Sequence, residues 1–75
     1  MQKDTARQLT SIMLECCKKL DESIALVMTA CTGEESMRFR RAAGKIMGHI
    51  FVEILDPIYR EHPELEPEEL KSQRR

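Results

Sequence analysis

From Leu9 to Cys31 an apolar residue recurs every three or four positions, and the residues between are mostly polar. Advancing about 100° per residue, Leu9, Ile12, Met13, Cys16, Leu20, Ile24, Val27 and Cys31 fall on one stripe. Lys18, Lys19, Asp21 and Glu22 fall mostly away from it. That spacing, with no Gly or Pro from Asp4 to Cys31, predicts an amphipathic helix over about 4–32. Asp4 or Thr5 suits its N-cap. Thr32-Gly33 suits its end, because glycine enters the left-handed conformation without a Cβ penalty.

A second helix is predicted over about 35–56, with a kink or restart at Asp56-Pro57. Proline inside a helix loses a hydrogen bond and collides one turn back, yet Asp-Pro also suits a helix start. The connection is too short for anything but antiparallel neighbours. Residues 1–61 therefore read as an antiparallel helical hairpin in an all-α fold, and 62–75 as an acidic, Pro-containing tail with a short helical turn. Pro63 and Pro67 each suit the start of such a turn. Lys71 to Arg75 are expected to fray.

The second helix is apolar around an unusually wide arc. With Phe39 as zero, Ala43, Ile46, Ile50 and Ile54 lie within about 60°, and Met47, Phe51, Ile58, Leu55 and Met37 continue to about 160°. Gly44 and Gly48 extend the smooth side further, to about 180°. One partner helix covers only about 100°, so the first helix cannot shield the whole arc. Two hairpins forming a four-helix bundle about a two-fold axis would. The expected interface is Gly44, Met47, Gly48, Phe51, Leu55 and Ile58, with the small-xxx-small glycines allowing close approach. A competing solution folds the tail back so that Tyr59, Leu65 and Leu70 form a lid.

Size sharpens this expectation. A chain of 75 residues hides only about 60% of its surface on folding, so an uncovered strip is costly. No run approaches the ~18 apolar residues of a membrane span, and the polar start, Met1 to Thr5, lacks a signal-peptide pattern. Cys16, Cys17 and Cys31 have no metal-type or redox-type spacing and read as free, buried thiols in a cytoplasmic protein.

Charge adds one candidate site. The net charge is only −1, but Arg38, Arg40, Arg41 and Lys45 form a basic block with no acid from Ser36 to Val52. Positive charge early in a helix opposes the macrodipole, which points to an anionic partner: an acidic protein surface or, as the alternative, nucleic acid. Phe39 belongs to the apolar arc and offers no stacking face beside the arginines. From Glu53 to Leu70 the sign reverses, with seven acids and one base, so tail and block could pair.

Catalytic chemistry is thinly represented. His49 lies between Lys45 and Glu53 on the polar face, without a nucleophile or a third orienting group. Neither histidine has the company of ligands that a metal needs, so no metal and no cofactor are expected. The expected function is non-enzymatic: a homodimeric helical protein working by protein–protein interaction as an adaptor, chaperone-like factor or regulator. The alternative is a small nucleic-acid-associated regulator using Arg38, Arg40, Arg41 and Lys45.

Overall fold

The first helix, α1, runs Lys3–Ala30. At 1.5 Å per residue its 28 residues span about 42 Å, and the molecule is 44 Å long. The computed structural model describes residues 1–73; of the stretch expected to fray, Lys71 to Arg75, the first three residues belong to the last helix and Arg74 and Arg75 lie outside the described residues. After α1 come α2 (Gly33–His49), a π-helical turn (Ile50–Leu55), α3 (Asp56–Glu61), a 3-10 turn (Pro63–Leu65) and α4 (Glu68–Gln73). Among the described residues there is no strand, and the fold is all-α.

Neither cap expected for α1 forms. Gln2 precedes the helix without a side-chain cap bond, and Asp4 sits within the first turn. There its carboxylate accepts hydrogen bonds from Arg7 at 3.1 Å and Gln8 at 3.2 Å, and its charge suits the positive end of the helix dipole. The other end follows expectation more closely. Cys31 and Thr32 are extended, and Gly33 turns the chain with φ of +64°. Ser36 Oγ then donates to the Gly33 carbonyl at 3.1 Å.

The expected kink or restart at Asp56-Pro57 takes another form. Helical backbone continues without a break from α2 through the π turn into α3, and the Asp56 amide donates to the Phe51 carbonyl five residues back. Pro57 explains the widening. It has no N–H to give, and its ring would strike the carbonyl four residues back, at Glu53, in a tight α-helix. A π turn accommodates one extra residue, which sets everything downstream back by about 100°. Leu55, Ile58 and Tyr59 thereby swing onto the face that also carries Ser36 and Ala43, and all five are buried. Placing Leu55 and Ile58 on the wide apolar arc came from assuming constant helical pitch through this turn.

The stripe buried on α1 is also displaced from the expected one. Ala6, Thr10 and Cys17 are buried, with Leu9, Met13, Leu14, Leu20, Ile24 and Val27 half-buried. Ile12 and Cys16 are exposed. The buried positions of both helices carry small side chains: Ala6, Thr10 and Cys17 on α1, Ser36 and Ala43 on α2. Such residues let helix axes approach closely, and larger neighbours are displaced to the flanks.

Past α3 the chain turns back on α1. The Met1 ammonium lies 3.1 Å from Glu61, His62 Nε2 is 3.0 Å from the Met1 carbonyl oxygen, and Lys3 is 4.0 Å from Glu64. Pro63 opens the 3-10 turn and Pro67 directly precedes α4, as their fixed φ favours.

Candidate functional site

The six residues expected at an interface have separate fates. Leu55 and Ile58 are 0% and 5% exposed within the single chain, so they are core residues, not surface. The phase shift of the π turn is the reason. Met47 and Phe51 are half-buried, while Gly44 and Gly48 are exposed. Among the described residues, nothing beyond its chain neighbours and own helix backbone lies within 4 Å of the Cβ position at either glycine. They serve no close helix crossing inside the chain.

Beside these glycines the basic block stands largely alone. Arg38 pairs with Glu34 one turn back at 3.7 Å, and both side chains are well exposed, so the pair contributes little. Arg40, Arg41 and Lys45 have no ion pair or side-chain hydrogen bond among the described residues. The acidic tail, expected as their partner, instead turns Glu61 and Glu64 toward Met1 and Lys3. At about 100° per residue, Arg40 and Arg41 straddle Gly44. With Met37 these three line a shallow depression of about 250 Å³. Its lining combines a thioether, two guanidinium groups and one residue without a side chain.

A second exposed surface went unrecognised in the sequence. Ile12 and Ile46 are 56% and 52% exposed, and Cys16 is exposed near Ile12, one turn along α1. Hydrophobicity alone assigns all three to the core. The available signal was the spacing of small residues, Ala6-Thr10-Cys17 and Ser36-Ala43, at the four- and seven-residue steps of a helix seam.

The cysteines do not share one environment. Burial, then the neighbouring Cys16 and Asp21, push the Cys17 thiol above its ordinary range. Desolvation does the same at half-buried Cys31, followed by the charge and hydrogen bonding of Glu35. Both stay protonated at neutral pH, and protonated thiols are poor nucleophiles. His49 is exposed and makes no bond to Glu53 among the described residues. Among those residues no three His, Cys, Asp or Glu side chains gather as a metal site, and no helix is long and apolar enough to cross a membrane.

No protein-family model, curated protein or solved structure matches this chain.

Proposed function

We propose that the chain is an antiparallel helical hairpin that works without catalysis, by binding protein, and that it pairs with a second copy of itself. Contacts of Met1 and Lys3 with the Glu61–Glu64 segment support the hairpin, as does the two-residue link between α1 and α2. In an antiparallel pair, the wheel positions of Ile12 and Cys16 fall on the same broad side as Phe39 and Ile46. Met37, Arg40, Gly44 and Gly48 fall on the other.

The observation that carries the pairing is area. The chain exposes 5641 Å², against roughly 4,700 Å² for a compact chain of this length. That excess of about 900 Å² is close to the ~800 Å² per partner of a standard interface. The apolar side bearing Ile12 and Ile46 is where a second hairpin gains most, giving a four-helix bundle with Leu55 and Ile58 in each hairpin's own core. Three free thiols suit a reducing cytoplasm.

Sedimentation across a dilution series tests this directly. The expected result is twice the chain mass at micromolar concentration, and single-chain mass for Ile46→Glu with helix content retained. Alkylation of Cys16 should slow as concentration rises, because pairing covers it. A single-chain mass at every concentration would falsify the pairing.

A further inference from the structure

We propose that the depression formed by Met37, Arg40, Arg41 and Gly44 is a docking site for an acidic, leucine-bearing segment of a partner protein. This rests on the reading that the chain acts by binding protein, and it names where and what. Three observations converge on it. First, Arg40, Arg41 and Lys45 have no anionic partner among the described residues, although the chain holds thirteen acids. A cationic cluster that its own carboxylates leave open has its charge available to another molecule.

Second, the lining includes a glycine. Gly44 weakens the helix by roughly 1 kcal/mol relative to alanine, and nothing among the described residues comes within 4 Å of where its Cβ would be. An added Cβ would meet no neighbour there, so internal packing does not require glycine. What glycine provides is room for an incoming group to reach the backbone.

Third, the lining is mixed. Met37 is about half exposed and lines the depression together with Gly44 and the two arginines. A phosphate backbone has no use for the thioether, whereas a leucine next to glutamates would use both features. Methionine adapts its shape to such a side chain, and guanidinium groups bind carboxylates in a bidentate fork.

The site lies on the opposite side of the hairpin from Ile12 and Ile46, so it stays open when two copies pair. Its occupant is therefore a different protein, and a dimer would present two sites.

The test uses the full chain and a fluorescent peptide repeating Glu-Glu-Leu, with a single-stranded RNA 20-mer as competitor, read by anisotropy. Saturable peptide binding is expected, weakened at least tenfold by Arg40→Glu with Arg41→Glu. Gly44→Leu should weaken it at least tenfold as well, by filling the depression, while circular dichroism shows helix content retained or raised. Three outcomes overturn the proposal. RNA could bind more tightly than the peptide, making the block a phosphate contact. Gly44→Leu could leave peptide affinity unchanged, leaving only diffuse charge attraction. The arginine reversals could instead lower the sedimentation mass, showing that a second copy already occupies the site. Peptide binding with the expected variant pattern stands whether the chain sediments as one copy or two, so failure here is distinct from failure of the pairing.

Discussion

The two ends of the helix pair hold similar residues and bury them very differently. Where the start of α1 meets the end of α3, the residues Ala6, Thr10, Leu55, Ile58 and Tyr59 are all buried. Around the Cys31–Gly33 turn only Ser36 is buried, while Leu26 is 67% exposed and Met28 and Met37 are exposed too. Propensity does not separate them, since both ends are helical. The difference is a third layer. At the first end the chain returns through His62 and Glu64 to the beginning of α1, and the π turn directs Leu55 and Ile58 inward. At the second end two helices joined by two residues have nothing further to lay over them, and each shields only one stripe of its neighbour. Two helices make a seam; closing a core takes another segment.

The largest expected effect follows from that asymmetry. Leu55→Ala removes a fully buried side chain and should cost about 2–5 kcal/mol of unfolding free energy. Leu26→Ala, at a mostly exposed position, should stay within about 0.5 kcal/mol. Urea denaturation of the two variants measures the contrast, and similar losses would mean that the ends are equally packed. In a sample that also self-associates, both titrations belong at one fixed protein concentration, because pairing adds to apparent stability.

A smaller effect is expected at the open end, where backbone rather than packing sets the geometry. Gly33 has φ of +64°, and a Cβ added there would meet nothing within 4 Å among the described residues, so Gly33→Ala meets no obstacle and suffers only the left-handed penalty, about 1 kcal/mol. Gly33→Asn should lose less, because asparagine visits that region more readily. An alanine variant as stable as the parent would show that the turn has another low-energy path.

How much of this was legible can be traced residue by residue. The all-α class and the glycine turn at 33 follow from periodicity and from glycine's freedom, which are local properties. Pro57 announced a disturbance, but not its kind. Whether proline breaks a helix or widens it depends on what the downstream residues gain, and burial of Leu55, Ile58 and Tyr59 is a tertiary quantity. The same limit hid the true stripe of α1. Ile12 and Cys16 outrank Ala6 and Thr10 in hydrophobicity, yet a close seam selects small side chains, and closeness is set by the partner helix. The unpaired state of Arg40 and Arg41 was equally hidden, because Glu61 and Glu64 had to be located first.

The closed end has a flaw, and it yields a small effect of the opposite sign. Thr10 is buried, and its hydroxyl has no hydrogen-bond partner among the described residues. An unmet buried hydroxyl costs about 1–3 kcal/mol, whereas an apolar group of the same shape carries no such debt. Valine replaces the oxygen with a methyl at nearly the same volume, and its helix propensity is close to that of threonine. Thr10→Val should therefore stabilise the fold by about 1 kcal/mol, seen as a higher urea midpoint with an unchanged slope. Thr10→Ser, which keeps the hydroxyl and discards the methyl, should move the midpoint the other way. Small residues make the seam because of their size, and at Thr10 the size is useful while the polarity is not. If valine proves the less stable variant, the hydroxyl is bonded in solution, and the first end owes part of its closure to a polar contact rather than to packing alone.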